Sequence, residues 1–305
     1  MMPENDGRPL SLPAGSPGGL VEGISTDGKI MTGQTLDGPI GDIAPFNRPP
    51  MVATRWVDGV PETLGTLGGD ESIAFGISGD GNVIVGKAEM LPGKKRQHAF
   101  RWTQKDGMTD LGTLGGYASF ARGASADGSV VVGASHNTER RMEAFRWTKK
   151  DGMAGLGFLS GVIPSGSGMI VSSASGISSD GAVIVGTSDN AAGKREAFRW
   201  TRQDGMTGLG FLPGMTESVA NAISADGLVV VGTSGDDSGW RAFRWTKETD
   251  MQSVEEWLRS AEPSFVPVAG DFLGNATGIS ANGSVISGLG VSQGALRPWI
   301  ARVGR

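Results

Sequence analysis

The chain has 305 residues and a formal net charge of −5, with 27 basic and 32 acidic side chains. Because there is no basic excess to neutralise phosphates, the charge argues against nucleic acid as the main partner. The absence of cysteine excludes disulfides, thiolate metal sites and cysteine nucleophiles. No apolar run is long enough to form a transmembrane segment.

Glycine is the outlier of the composition, with 51 residues against an average usage of about 7%. The glycines stand between β-branched runs such as Val131-Val132 and Val229–Val231, which disordered chains lack. This pattern predicts many tight turns and many short strands.

The N-terminal residues show no charged-then-apolar signal pattern, so we expect either a cytoplasmic protein or a chain whose leader has been removed. Residues 8–13 contain the segment Pro9–Pro13, which is similar in sequence to Leu209–Pro213, a predicted fourth strand. We therefore predict an isolated N-terminal strand.

Six copies of one unit follow, at intervals of about 45–54 residues. Each copy contains a phrase similar to Gly-Ile-Ser-x-Asp-Gly, an apolar run that ends in glycine, and a phrase similar to Ala-Phe-Arg-Trp-Thr. Several copies add Gly-Met-x-x-Leu-Gly-x-Leu. The repeats span about 20–69, 70–116, 117–161, 170–214, 218–262 and 272–303.

Each copy offers four short strands, and Asp-Gly between the first two predicts a type I′ hairpin turn. The period and the strand number are typical of propeller blades. We predict an all-β fold: a single domain over residues 1–305, a six-bladed β-propeller of four-stranded antiparallel blades. Because the sixth copy ends after Trp299, we expect the N-terminal strand to complete the last blade and close the ring.

The fifth copy departs from the pattern, because a helical sequence replaces its fourth strand. Ser253 followed three residues later by Glu256 is a capping box. Helical spacing places four apolar side chains on one face: Val254, Trp257, Leu258 and Ala261. We predict one short helix near 253–261 on the outer side of the propeller.

The repeated aspartate and arginine are interpreted as structural pairs that tie the first hairpin to the third strand by a bidentate bond. The sixth copy has Asn282 at the aspartate position and Pro298 at the arginine position, so it departs at both together. The predicted pairs are Asp80 with Arg101, Asp127 with Arg146, Asp180 with Arg199, and Asp226 with Arg244.

Binding is expected on the face where the variable loops emerge, since variable loops on a rigid scaffold usually carry function. These loops contain aromatic side chains and a small excess of basic ones. The alternative to a binding surface is that the charged side chains are solvated and bind no ligand. The candidate binding residues are Phe46, Lys94, Lys95, Arg96, His98, Tyr117, His136, Arg140, Arg141, Lys194, Arg195, Trp240 and Arg241.

The phrases Asp-Gly-x-Val-x-Val-Gly and Ala-Phe-Arg-Trp-Thr, followed by Gly-Met-x-x-Leu-Gly-x-Leu, resemble the HAF-type bacterial extracellular repeat family over about residues 20–300. Similar repeats occur in autotransporter-like surface proteins. The resemblance implies a location outside the cytoplasm, either extracellular or at the cell surface, and it implies no catalytic residues.

Three functions remain open from the sequence. The first is a non-catalytic binding or display module for a glycan or a protein partner, without a cofactor or a metal. The second is a glycoside hydrolase or lyase, for which Tyr117 is the candidate nucleophile and Arg122 lies near it in sequence. The third is a structural spacer or passenger segment. The oligomeric state and the binding of calcium stay undetermined.

Overall fold

The computed structural model describes residues 9–38, 49–91, 96–159, 171–265, 268 and 270–303. Within these ranges the chain forms six antiparallel sheets, five with four strands and one with three. Consecutive sheets pack against each other, and their first strands lie next to one another at the centre of the array. The six predicted blades of an all-β propeller are therefore confirmed.

The strands follow the chain order within every sheet. The first blade comprises β1 (Gly19–Ile24), β2 (Ile30–Leu36), β3 (Met51–Val57) and β4 (Val60–Thr63). The second comprises β5 (Ser72–Ile77), β6 (Ile84–Glu89), β7 (Gln97–Thr103) and β8 (Gly107–Asp110). The third comprises β9 (Gly115–Ala124), β10 (Val130–Asn137), β11 (Met142–Thr148) and β12 (Gly152–Gly155).

The fourth blade comprises β13 (Ser172–Ile177), β14 (Val183–Asp189), β15 (Arg195–Thr201) and β16 (Gly205–Gly208). The fifth comprises β17 (Glu217–Ile223), β18 (Val230–Asp236), β19 (Gly239–Thr246) and β20 (Asp250–Ser253), followed by α1 (Val254–Ala261). The sixth comprises β21 (Phe272–Ile279), β22 (Val285–Ser292) and β23 (Ala295–Arg302).

The glycine that ends each apolar run lies in the middle of the second strand, opposite a bulge in the first strand. A Cβ atom built on Gly186 would lie 2.0 Å from the carbonyl oxygen of Ser173, which is far inside contact distance. Only glycine allows the first strand to approach this closely. The close approach explains why the Val-x-Val-Gly phrase recurs.

The Asp-Gly turns between the first and second strands are not the predicted type I′ turns. Gly181 has φ +71°, but the aspartates of these turns do not have positive φ, which type I′ requires at both central residues. Instead the turn closes over four residues, and the Gly181 N–H donates to the Ser178 carbonyl at 3.0 Å. Type I′ signatures occur at Asp58-Gly59 and at Gln293-Gly294, where both residues have positive φ.

The hydrophobic core lies between the blades rather than within one layer. One cluster joins Ala53 and Leu64 of the first blade to Ile84, Phe100 and Trp102 of the second. Equivalent clusters join the second blade to the third, the third to the fourth, the fourth to the fifth and the fifth to the sixth. Each blade is thus stabilised mainly by its neighbours, as in other repeat proteins.

A buried serine hydroxyl connects the blades at four consecutive junctions. At the junction of the third and fourth blades, Ser172 Oγ accepts from the Ala144 N–H at 2.9 Å and donates to the Gly157 carbonyl at 2.7 Å. The other three connecting serines are Ser72, Ser119 and Ser218. The glycines that provide the acceptors, such as Gly157 with φ +78°, redirect the chain from one blade to the next.

Closure of the ring by the N-terminal strand is not confirmed. Residues 9–18 contain no strand, and the carbonyl of Ser11 accepts a hydrogen bond of 2.7 Å from the Trp56 indole of the first blade. Turn-to-turn backbone bonds such as Ala225 N–H to Ala281 O join consecutive blades, but among the described residues none joins Ala281 to Thr26. The facing sides of the end blades instead expose apolar side chains, with Ile24 58% and Ile300 72% exposed.

The register of the sixth blade differs from the sequence alignment. Gly288 pairs with Trp299, whereas the equivalent Gly86 pairs with Phe100, so Trp299 occupies the phenylalanine position. The arginine position of the sixth blade is therefore held by Ile300 and not, as predicted, by Pro298. Aligning Trp299 with the other tryptophans shifts the sixth copy by two residues. A shift of two keeps every side chain on the same face of the strand, so the alternation of side chains does not reveal the error.

The predicted helix is confirmed at α1, with both hydrogen bonds of the Ser253–Glu256 capping box present. Val254 and Trp257 are buried in the cluster between the fifth and sixth blades, while Ala261 is exposed. The helix covers the junction at which the connecting serine is missing.

We predict that Ser172→Ala lowers the free energy of unfolding by about 1–3 kcal/mol, because a buried N–H and a partly buried carbonyl both lose their partner. Chemical denaturation of the two proteins measures the difference. Ser173→Ala, on the same strand, is the matched control and should change stability much less. Equal losses for the two variants would contradict a connecting role for Ser172.

Candidate functional site

Two clefts lie on the turn face, which carries the connections between strands one and two and between strands three and four of each blade. The larger cleft, of about 1040 Å³, runs along the fourth blade and reaches both of its neighbours. The smaller, of about 510 Å³, lies between the second and third blades. Sequence analysis placed the binding surface on the opposite face, the loop face.

The clefts are built by the same residues at successive junctions. Each is lined by an arginine from one blade, and by a tryptophan, a cation two residues later and an Asp-Gly turn from the next blade. We name each cleft by the numbers of the two blades that form it. The 2/3 cleft contains Arg101, Trp147 and Lys149. The 3/4 cleft contains Arg146, Trp200 and Arg202, and the 4/5 cleft contains Arg199, Trp245 and Lys247. The 3/4 and 4/5 clefts are the two ends of the larger cavity.

Strand alternation positions these side chains. Phe198 and Trp200 point to the same side of β15 and pack in the cluster shared with the third blade. Arg199 points to the other side and lines the cleft next to the fifth blade. The phenylalanine and tryptophan rings therefore share one face of the third strand and alternate with arginine.

The arginines do not form the predicted bidentate bonds to the turn aspartates in any of the four pairs. Arg101 Nε donates to the Gly128 carbonyl of the next blade at 3.3 Å, and Arg146 Nη1 lies 4.0 Å from Asp151, a residue of its own outer turn. The guanidinium of Arg244 lies over the Trp257 ring at 5.4 Å. These arginines therefore face the next blade or helix α1 and not the first hairpin of their own blade.

The turn aspartates are occupied by local donors instead. Asp180 Oδ1 accepts from the Ser178 hydroxyl at 2.6 Å and from the Ala182 N–H at 3.0 Å, and the same pair of bonds recurs in every blade. Asn282 makes these bonds in the sixth blade. An amide oxygen thus replaces the carboxylate in the turn, so the joint change in the sixth copy needs no direct Asp–Arg contact.

Hydrogen bonding holds the turn carboxylates in their charged form. The N–H of Ser129 and the hydroxyl of Ser125 lower the pKa of Asp127 from 3.8 to about 2. The hydroxyl of Ser178 and the N–H of Ala182 likewise lower the pKa of Asp180. These hydrogen bonds stabilise the ionised carboxylate and stabilise the protonated carboxyl group much less.

The junction between the first and second blades differs from the clefts. Arg55 Nε donates to Glu62, its cross-strand neighbour, at 2.8 Å, and its Nη2 donates to Gln104 of the second blade. The guanidinium covers the Trp102 ring at 4.5 Å, so this indole is only 5% exposed. Trp147, Trp200 and Trp245 are partly exposed in their clefts.

The candidate residues of the loop face form separate local contacts. His98 Nδ1 lies 3.0 Å from the Asp110 carboxylate, the Tyr117 and His136 rings stack at 3.9 Å, and Arg241 lies 4.3 Å from the Phe272 ring. Four further candidates lie in or beside loops: Arg96, whose carbonyl accepts from the Met90 N–H; Arg140, with φ +63°; Arg141, paired with Glu139; and Lys194. The last two, Arg195 and Trp240, lie at the starts of β15 and β19. Phe46, Lys94 and Lys95 lie outside the described residues.

Tyr117 and Arg122, the pair on which a hydrolase would depend, lie on one strand. Five residues of extended chain separate their Cα atoms by roughly 16 Å. The Arg122 guanidinium lies near the Phe75 and Phe120 rings, at 5.8 and 5.3 Å. The structure does not bring these two side chains together.

Comparison with solved structures places the fold. A structure of two prolyl endopeptidases matches with a TM-score of 0.56 and 12% identity, covering 91% of this chain and 41% of that one. A putative TolB from Agrobacterium tumefaciens matches at 0.51 and 16%, covering 77% and 80%. TolB from Acinetobacter baumannii matches at 0.50 and 13%, covering 77% of this chain and about half, 53%, of that one. At these identities the likeness concerns the fold alone.

No protein-family model matches the chain, and no curated protein matches its sequence. Within the described ranges, no group of three or more histidine, aspartate or glutamate side chains is placed to hold a metal ion. The helix found there, α1, is far too short to cross a bilayer.

Sequence reasoning missed the cations of the clefts: Lys149, Arg202 and Lys247. A signal was available, because each stands two residues after its tryptophan in the third, fourth and fifth copies, where the second copy has Gln104. These residues were missed because the turns that carry them are short and repetitive, and only the variable loops were searched for a binding surface.

We predict that Asp127→Asn removes part of the acid sensitivity of folding. Because the folded-state pKa lies below 3.8, the ionised carboxylate stabilises the fold above about pH 4, and this stability is lost as the pH falls toward 2. The variant should be less stable than the wild type at pH 7 and should approach it between pH 4 and pH 2. Urea unfolding at several pH values measures the gap, with Asp237→Asn as the exposed control. A gap that stays constant with pH would refute the assignment.

Proposed function

We propose that this protein is a non-catalytic binding module that holds a glycan in the inter-blade clefts of the turn face. The observation that carries the proposal is the repetition of one arrangement, an arginine facing a partly exposed tryptophan, at the 2/3, 3/4 and 4/5 clefts. A protein that binds a polymer of repeating sugar units gains affinity from repeated sites, because binding at one site raises the effective concentration of the polymer at the next.

The chemistry of the clefts suits a sugar. An indole offers an apolar surface to the C–H face of a pyranose ring, and the adjacent guanidinium offers several N–H donors to hydroxyl oxygens. The Asp-Gly turns add backbone groups at the rim of each cleft. Concave sites of this composition are typical of small-ligand binding.

The 1/2 junction supports the assignment by contrast. There Arg55 is bound by Glu62 and Gln104 and covers Trp102, so the chain's own side chains occupy the space that the other junctions leave open. The same repeat thus occurs in a filled form and in an open form.

Filling the clefts tests the proposal. The residue after the Asp-Gly pair differs from blade to blade (Ser129, Ala182, Leu228), so we expect the fold to tolerate a larger side chain there. We predict that the double variant Ser129→Trp and Ala182→Trp loses at least tenfold in affinity for the glycans that the wild type binds on an array, without a change in melting temperature.

Trp240→Ala, which removes a loop-face tryptophan that is 38% exposed, is the matched control and should bind normally. Loss of binding in Trp240→Ala with retention in the double variant would move the site to the loop face. Turnover of a bound glycan by the wild type would contradict the non-catalytic role.

We also propose that the protein acts outside the cytoplasm, as its resemblance to HAF-type extracellular repeats implies. A glycan ligand is consistent with that location. Fractionation of the native cells tests this point, and recovery of the protein only with cytoplasmic markers would contradict it.

Finally, we propose that the ring closes through the faces of the first and sixth blades. Val21 and Ile24 on one end and Leu296 and Ile300 on the other are 46–72% exposed, although the equivalent faces are buried at the other junctions. We predict that the double variant Leu296→Asp and Ile300→Asp lowers the melting temperature by several degrees, because it places charges in a buried seam. Leu91→Asp, a loop control, should have little effect, and equal melting of both variants would refute closure.

A further inference from the structure

The 2/3 and 3/4 clefts are lined by several positively charged side chains. The 2/3 cleft is lined by four cations, Arg101, Arg146, Lys149 and Lys150, and by two carboxylates, Asp127 and Asp151. The end of the larger cavity next to the third blade is lined by Arg146 again and by Arg202 of the fourth blade. Its carboxylates are Asp180 and Asp204, and Asp204 accepts from the Thr201 hydroxyl at 2.9 Å.

These cations are not neutralised as Arg55 is. The cross-strand neighbour of Arg55 is Glu62, but Arg101 is opposite Thr109 and Arg146 is opposite Ala154. The residue that faces the arginine from the next blade also changes, from the neutral Gln104 to Lys149 and Arg202. Both changes raise the positive charge of the open clefts.

The carboxylates of these clefts are already bound within their turns. Asp127 accepts from Ser125 and Ser129, Asp180 accepts from Ser178 and Ala182, and Asp151 accepts from the Thr148 hydroxyl at 3.1 Å. Among the described residues, the one ion pair of Arg146 is the long contact of 4.0 Å with Asp151. Burial and the nearby charge of Arg202 lower the pKa of Arg146, and the charge of Asp151 opposes this shift without cancelling it.

We infer that the 2/3 and 3/4 clefts recognise the carboxylate of an acidic sugar, with the acid group between the two cations and the pyranose ring on the tryptophan. The inference rests on the proposed glycan-binding function and specifies its ligand class. Two cations that line one cleft match one carboxylate, and the partly exposed indole favours a sugar ring over a flexible acidic peptide. The 4/5 cleft is different, because Glu248 and Asp250 line it beside Lys247.

Titration calorimetry and glycan arrays with defined probes test the inference. The probes are polygalacturonate, its methyl-esterified form, which keeps the sugar and loses the charge, and poly-L-glutamate, which keeps the charge and loses the sugar. We expect polygalacturonate to bind at least tenfold more tightly than either of the other two.

Charge reversals at exposed positions locate the site without disturbing the core. Lys149→Glu and Arg202→Glu should each weaken polygalacturonate binding roughly fivefold, and the double variant should weaken it more than either. Lys105→Glu makes the same charge change in the turn at the filled 1/2 junction and should leave binding within a factor of two. A loss in Lys105→Glu equal to that in Lys149→Glu would reduce the effect to overall charge and overturn the inference.

The outcomes distinguish a failure of the carboxylate inference from a failure of the proposed glycan-binding function. Equal binding of the esterified and acidic polymers overturns the carboxylate inference and leaves the glycan-binding function intact. Equal or tighter binding of poly-L-glutamate assigns the clefts to an acidic protein segment and overturns the sugar. Failure to bind any acidic or neutral glycan overturns the proposed function itself.

Discussion

The buried serine hydroxyl at the blade junctions is the interaction on which the rest of the structure depends. It accepts a backbone N–H from the third strand of one blade and donates to the loop that leaves that blade, while it belongs to the first strand of the next. One hydroxyl group thereby fixes the relative positions of three chain segments. Because a buried N–H or carbonyl without a partner is costly, the junction has one favourable geometry and consecutive blades repeat it.

The repeated geometry produces the clefts. Once two blades are held at a constant distance, the arginine of one third strand and the tryptophan of the next must face each other on the turn face. The contents of that space are then set by a few outer residues, Glu62 and Gln104 in the filled form and Ala154 and Arg202 in the open form. A structural repeat can in this way carry sites of different specificity without any change in its core.

The ends of the array lack these devices. Gly274 takes the serine position in the sixth blade, and helix α1 covers the junction of the fifth and sixth blades with Val254 and Trp257 instead. At the seam between the sixth and first blades, Ile24 and Ile300 stay exposed. The fifth and sixth blades are joined instead by other hydrogen bonds, such as Asn221 Nδ2 to the Ala276 carbonyl at 2.8 Å and the Ala225 N–H to the Ala281 carbonyl at 2.9 Å.

The sequence by itself determined the six blades, the strand order and the capped helix, because each follows from local rules: strand alternation, the turn preference of Asp-Gly, and the spacing of Ser253 and Glu256. It could not determine which groups pair across blades, since residues such as Arg101 and Gly128 are far apart along the chain and the repeat places several donors within reach of each acceptor. For the same reason it assigned the turn aspartates to the arginines and misaligned Trp299 by two residues. Only the tertiary structure placed the candidate site on the turn face, because a cleft between blades exists only after neighbouring blades have packed.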